Sequence, residues 1–316
     1  MLAAWLRVKY PATFAGAYAS SAPILQTPGL MDPTAYNRVI RDTFTTPGAP
    51  SAPLALYLGF SALRNASASA PGRARATAAL GLCGEPLRTP GDVAAVLGWL
   101  SSAVGFVAMA DYPYATSFLG PLPANPAAFI GALLPRDPRT AGEAALLAGL
   151  RAVADVFYNF SGQAGGCFNV SAQDPPGLQG DGWDVQCCRE VAQPIGSLGW
   201  PNDVFWPAPF SLPAFVSGCE RAFEGTRPRA YLGLFEYGGL NLRGASRILF
   251  TNGELDPWKA GGVLANSSAF GEDVVAFVQR GAAHHLDLRA PNDADPADTR
   301  TARAMARAAI LRWCAA

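Results

Sequence analysis

The sequence is short of lysine, of histidine and of net charge, and each shortage closes off a class of function. Only Lys9 and Lys259 are lysines, the other basic residues being arginine, and 24 basic against 24 acidic residues leave no net charge over 316 residues. No summed field draws such a chain onto nucleic acid or an anionic membrane, so its partners are selected by shape and local chemistry. The six cysteines, Cys83, Cys167, Cys187, Cys188, Cys219 and Cys314, contain no C-x-x-C pair, so neither a zinc site nor a thioredoxin-type redox motif is spelled out. Half of the residues are apolar, enough for a core in one large domain or two modest ones, and disorder and fibre are excluded. No internal repeat is present.

Long uncharged runs are few. Residues 93–110 lie between Asp92 and Asp111 and approach the length of a membrane span, but Gly98, Ser101, Ser102 and Gly105 within the run favour a buried helix. The run 112–135 is broken by prolines. An even cysteine count and four sequons, at Asn65, Asn159, Asn169 and Asn266, point to disulfides and a secretory lumen. Spacing does not reveal the connectivity, although adjacent Cys187 and Cys188 cannot easily both bridge nearby partners, which leaves one of them free. Residues 1–7 are apolar at their start but lack a basic leader and a clean small-residue cleavage site. A lumenal protein with such a start is expected to have lost the beginning of its chain, signal peptide included.

Residues 1–9 carry helix formers and stop before Pro11, which predicts a short helix. Residues 14–24 then read as a small-residue strand running into a loop, an αβ step of a parallel sheet. From residue 27 to 229 the texture changes to helical stretches at 56–64, 73–81, 91–109 and 139–158, separated by proline-rich and glycine-rich joints. Sheet texture returns with strands at 247–250 and 274–278, and a closing helix is expected over 298–313. The two late strands each run directly into a distinctive loop, Thr251-Asn252-Gly253-Glu254-Leu255-Asp256-Pro257-Trp258 and Gly281-Ala282-Ala283-His284-His285. The carboxyl edge of an open α/β sheet is where ligands and catalytic groups collect.

His284 and His285 are the only histidines. An aspartate in a tight turn followed by a histidine on the next strand-loop unit is the order in which an α/β-hydrolase presents the last two members of its triad. The carboxylate fixes one imidazole tautomer, and the imidazole takes a proton from a nucleophile. The bland alternative is a histidine loop that hydrogen-bonds to backbone. A metal site is the poorer reading, because no third ligand is signposted. No G-x-S-x-G pentapeptide surrounds any serine, so the nucleophile elbow is either absent from these residues or the hydrolase reading fails. In that fold the elbow lies just before the helix that here begins at residue 1.

Five separated blocks, in order, carry a resemblance. They are residues 1–11 (Met1 to Pro11), Ala19-Ser20-Ser21-Ala22-Pro23-Ile24, residues 111–126 from Asp111-Tyr112-Pro113-Tyr114 to Asn125-Pro126, Asn252-Gly253-Glu254-Leu255-Asp256-Pro257-Trp258, and His284-His285-Leu286-Asp287-Leu288-Arg289. Together they resemble the serine exopeptidase family of dipeptidyl peptidase II and lysosomal prolylcarboxypeptidase across the whole chain. The resemblance implies an α/β-hydrolase, a parallel sheet lacking its N-terminal strands, interrupted by a mostly helical cap. Expected boundaries are 1–28 and 230–316 for the sheet part and 29–229 for the cap. It implies Asp256 as triad aspartate, His284 as triad base, and a nucleophilic serine in a glycine-rich elbow just upstream of Met1. Without that segment the chain is expected to be inactive.

The resemblance further implies cleavage beside proline or another small residue near a peptide terminus, without cofactor or metal. The expected partner is a peptide, not nucleic acid or a membrane span, with a homodimer among the expected assemblies and a lysosomal, vacuolar or secreted location. An aminodipeptidase holds a free α-ammonium and wants a carboxylate, whereas a carboxypeptidase wants a cation or amide donors. Trp183-Asp184-Val185-Gln186 resembles the dipeptidyl peptidase version of a cap motif, with Asp184 as the amine-binding carboxylate. Asp181 is a rival for that role, and an exposed loop acid is the bland reading. Release of N-terminal dipeptides with Pro or Ala second is therefore the expected activity, with prolylcarboxypeptidase-type cleavage and a non-catalytic peptide-binding descendant as alternatives. Trp258 and Tyr112, with Trp200 and Trp206, are candidate walls of a proline-sized pocket. Glu254 is expected to brace its turn.

Overall fold

A computed structural model of the chain describes residues 1–163, 165–170 and 180–315, residues 180 and 181 by backbone alone. The order opens with α1 (Leu2–Lys9), β1 (Ala17–Ser20), α2 (Ala35–Phe44), α3 (Ala52–Ser67), α4 (Ala70–Leu80), α5 (Val93–Met109), α6 (Pro126–Leu133) and α7 (Glu143–Tyr158). It continues with α8 (Gly180–Arg189), α9 (Leu212–Ala222), α10 (Leu232–Tyr237), β2 (Ile248–Gly253), β3 (Val274–Gln279) and α11 (Ala297–Ala315). These elements form two compact units. One comprises Met1–Val39, Gly180–Gly196 and Pro209–Ala316, the other Ile40–Gln179 and Ser197–Ala208.

The first unit holds the sheet. Its three described strands are parallel in the order β1-β2-β3, with Ala17 beside Ile248 and Ile248 beside Val274. Alternation along each strand decides what covers each face. Ala17, Ala19, Ile248, Phe250, Val274 and Ala276 join Ala4 and Trp5 of α1 in one core, while Leu249 packs with Ala306, Ala309 and Trp313 of α11, with Tyr18 and Val275 against them. A parallel sheet buried on both faces needs such apolar strands on both sides. Gly16 is required just before β1, because a Cβ there would lie 2.3 Å from the Trp313 ring. Arg7 pins α1 to the starts of β1 and β2: its Nη1 donates to the Pro11 carbonyl at 2.6 Å, its Nε to the Ser246 carbonyl at 2.8 Å and its Nη2 to the Ser246 hydroxyl at 2.7 Å.

The second unit is helical. Leu56, Phe60 and Leu63 of α3, Val96, Leu100 and Val104 of α5, and Leu147, Leu150 and Val153 of α7 are buried. Phe106 stacks on Phe157 with ring centroids 5.5 Å apart, and Trp99 stacks on Tyr158 at 4.6 Å. Among the described residues one helical stretch, Pro90–Met109, is long and apolar enough to cross a membrane by length and composition, and half of it is buried inside the fold.

The units divide the chain differently from the expected 29–229 insertion. Residues 29–39, 180–196 and 209–229 belong with the sheet. Three contacts explain this: Val191 enters the sheet core, the Gly196 N–H donates to the Pro33 carbonyl at 2.9 Å, and a disulfide joins Cys188 on α8 to Cys219 on α9. A second disulfide, Cys83 to Cys167, lies within the helical unit. Of the adjacent pair, Cys187 keeps its thiol, as does exposed Cys314.

Candidate active site

The loops after β2 and β3 are tied together before any catalytic group is placed. The Glu254 N–H donates to the Gln279 carbonyl and the Leu255 N–H to the Ala282 carbonyl, each at 2.9 Å. The Glu254 carboxylate accepts the Gly281 N–H at 2.9 Å, which is the bracing expected of this residue. A side chain at Gly253 would collide with this arrangement, its Cβ falling 2.4 Å from the Ala282 carbonyl oxygen. Asp256 then divides its carboxylate. Oδ1 accepts the Trp258 N–H at 2.9 Å, capping the 3₁₀ turn Pro257–Gly261, and Oδ2 lies 2.9 Å from Nδ1 of His284.

Asp256 is fully buried and the His284 side chain is 12% exposed. A carboxylate accepts only, so Nδ1 carries the proton and Nε2 presents its lone pair. That is the tautomer a general base needs. His285 differs. It adopts a left-handed backbone (φ 57°), its N–H donates to the Ser21 hydroxyl at 3.0 Å, and its ring centroid is 3.7 Å from that of His284. Burial, then the neighbouring His284 charge, holds its pKa down to about 4.

Trp258 stands 6.5 Å from the His284 ring and edge-on to Trp183 of α8 at 6.1 Å and to Tyr36 of α2 at 5.1 Å. Asp184, next to Trp183, is exposed, and its charge helps burial raise the pKa of the Cys187 thiol. The side chain of Asp181 lies outside the described residues. Tyr112 is not among the rings that meet Trp258 among the described residues. It belongs to the helical unit and is fully buried, 5.9 Å from the Tyr114 ring and 6.3 Å from Phe118. A ring followed by Pro113, Tyr114 and Phe118 reads equally well as core. Trp200 and Trp206 also belong to the helical unit, against Tyr57 and Phe60. Trp183 and Tyr36, absent from the expected wall, are the residues the fold brings to Trp258. No spacing rule links them to it, since each arrives from a distant segment.

The sequence of the chain places it among known proteins at this point. The family described as Serine carboxypeptidase S28 matches residues 1–306. The chain belongs to that family. It is 36% identical over 313 residues to the Lysosomal Pro-X carboxypeptidase of Homo sapiens, an alignment covering 99% of this chain and 61% of that protein. It is 31% identical to Prolyl carboxy peptidase like protein 5 of Caenorhabditis elegans over 99% of the chain and 63% of that protein, and 27% identical to the human Thymus-specific serine protease over 96% and 59%. The chain thus spans about three fifths of the length of the curated relatives it matches. Its fold is of the α/β-hydrolase kind, a parallel sheet unit interrupted in sequence by helices, and its family is one of serine peptidases.

Proposed function

We propose that this chain carries the acid–base part of a lumenal serine exopeptidase that cuts beside proline at a peptide terminus. The observation that supports it is the 2.9 Å contact between the buried Asp256 carboxylate and Nδ1 of His284, in a member of a serine peptidase family. In this reading Nε2 of His284 takes the proton of a serine hydroxyl as the serine attacks the scissile carbonyl, then returns it to the departing amine. Asp256 holds the tautomer and stabilises the imidazolium between those steps. None of the serines in these 316 residues has a glycine on both sides at the elbow spacing, so this reading assigns the chain the base and its acid, not the nucleophile. Trp258, with Trp183 and Tyr36 against it, supplies the rigid apolar wall for a proline ring.

The names of relatives at 31–36% identity, a Pro-X carboxypeptidase and a prolyl carboxy peptidase like protein, favour release of a C-terminal residue after proline. Lysosomal in the name of the 36% relative supports a lysosomal or other lumenal setting. A second reading, release of N-terminal dipeptides, is favoured by the exposed Asp184 carboxylate one residue from Trp183, which suits a free α-ammonium. Paired assays of the native protein test both: a blocked Pro-Phe dipeptide for the carboxypeptidase and a Lys-Pro amide for the aminodipeptidase. Activity on the first alone, unchanged by Asp184→Asn, supports carboxypeptidase action. Activity on the second that Asp184→Asn abolishes supports dipeptide release. No turnover of either by a protein whose N-terminal peptides include a Gly-x-Ser-x-Gly would sink the exopeptidase reading.

A further inference from the structure

A second buried carboxylate lies three residues beyond His284, and proton transfer makes no use of it. Asp287 is 4% exposed. Its Oδ1 accepts the Ser20 hydroxyl proton at 2.6 Å and its Oδ2 that of Thr251 at 2.6 Å. Oδ2 also accepts from the Tyr18 hydroxyl. Ser20 ends β1, and Thr251 is its register partner on β2. One carboxylate therefore spans the carboxyl ends of two adjacent strands. Hydrogen bonds to an ionised acceptor are about twice as strong as neutral ones, so three of them satisfy a charge that burial alone would exclude.

We propose that Asp287 is a positioning residue for the general base, fixing the loop 281–288 so that His284 meets Asp256. The proposal rests on the reading of His284 given above. Asp256 follows β2 and His284 follows β3, so their 2.9 Å contact depends on how two separate loops are held. The Glu254 carboxylate holds the near end of the histidine loop at Gly281. Asp287 holds the far end. Arg303 of α11 reinforces that end by donating to three backbone carbonyls, Nε to Asp287 at 3.1 Å and Nη2 to Leu286 at 2.9 Å and Arg289 at 3.2 Å. Between the two ends, the His285 N–H is held by Ser21. An amide at position 287 replaces one acceptor oxygen with a donor, so at least one of the Tyr18, Ser20 and Thr251 hydroxyls must turn or let go, and the far end of the histidine loop loses its charged anchor.

The test uses the native protein labelled with 15N-histidine, in which these 316 residues contribute two imidazoles. Asp287→Asn is expected to lower kcat by roughly 10²-fold, the scale of a small misplacement of catalytic groups. KM should stay near its original value, the pattern of an interaction felt in the transition state. The Nδ1 proton that His284 shares with Asp256 should shift, while the melting temperature falls little. A variant with unchanged kcat and an unmoved Nδ1 proton overturns the proposal. If Asp287→Asn fails to fold, Thr251→Val decides, since it removes one donor at constant volume: a smaller loss of kcat with the same displaced signal supports the proposal, and a wild-type signal refutes it. His284→Ala separates the two levels. Full activity in that variant sinks the general-base reading itself, whereas an inactive His284→Ala beside an unperturbed Asp287→Asn sinks the Asp287 assignment alone.

Discussion

Trp183 and Trp258 meet edge to face, with ring centroids 6.1 Å apart and planes at 87°. Trp258 is also the residue whose backbone N–H Asp256 accepts, so the aromatic pair and the carboxylate that faces His284 share one turn. An edge-on aromatic pair is worth about 0.5–1.5 kcal/mol beyond the area it buries. Trp183→Ala is therefore expected to lower kcat/KM for a proline substrate by up to about tenfold, and for a flexible small residue by less. Steady-state kinetics on matched Pro and Ala substrates checks this; an equal loss on both would show that Trp183 supports the fold and not the subsite.

Asp256 has no exposed surface, and its two oxygens serve different partners. Asp256→Asn preserves the volume but offers an amide where His284 needs an acceptor, so it stabilises the wrong tautomer. A fall in kcat of about 10⁴ is expected, on the scale known for a triad aspartate. Because Asn can still cap the 3₁₀ turn, circular dichroism and melting temperature should change little. Retained turnover would place the acid elsewhere.

The sequence exposes those parts of the fold that local chemistry dictates. Strands expected at 247–250 and 274–278 occur at Ile248–Gly253 and Val274–Gln279, and the closing helix expected over 298–313 spans Ala297–Ala315. Their β-branched and alanine-rich runs are strong local signals. Within 14–24, expected as a strand running into a loop, the strand is Ala17–Ser20; it ends where Ser21 turns left-handed (φ 47°) and its hydroxyl accepts the His285 N–H. Long-range partners are not written in spacing. Ser20 and Asp287 are 267 residues apart, and neither flank announces the other. Tyr112 shows the same limit from the other side: an aromatic in a proline-rich loop gives no local sign of whether it faces a substrate or a core.

Cys187 and Cys188 are neighbours with opposite fates. Cys188 is bonded to Cys219, while the Cys187 thiol is pushed up to about 12 by burial, with the Asp184 charge adding and a bond to Gln193 opposing. The thiolate is the reactive form, so iodoacetamide should label exposed Cys314 well before Cys187. Cys188→Ser is expected to cost about 2–5 kcal/mol and to loosen α8, which carries Trp183 and Asp184. Cys187→Ser should leave stability nearly unchanged. Peptide mapping after timed alkylation and thermal melts of the two variants check both statements, and fast labelling of Cys187 would contradict the first.

Asp111 gives the fold a pH dependence of definite sign. Its carboxyl is 7% exposed. Oδ1 accepts the Ala127 N–H at 2.9 Å near the start of α6, but burial outweighs that bond and pushes the pKa up to about 7. The native state therefore keeps a proton that the unfolded chain releases near the ordinary value of 3.8. Between those two pH values the native state binds more protons, so stability must fall as pH rises. At about 1.4 kcal/mol per pKa unit, the loss from pH 4 to 7 is on the order of a few kcal/mol. Asp111→Asn cannot titrate and should lack this slope, so its melting temperature should gain on the wild type steadily across that range. Opposing terms such as neutral, buried His285, whose folded pKa near 4 favours stability at higher pH, are common to both proteins and cancel in the difference. Parallel melting curves for the two proteins at pH 4, 5.5 and 7 would refute the assignment. A widening gap would show that the proton held by buried Asp111 favours the wild-type fold toward pH 4.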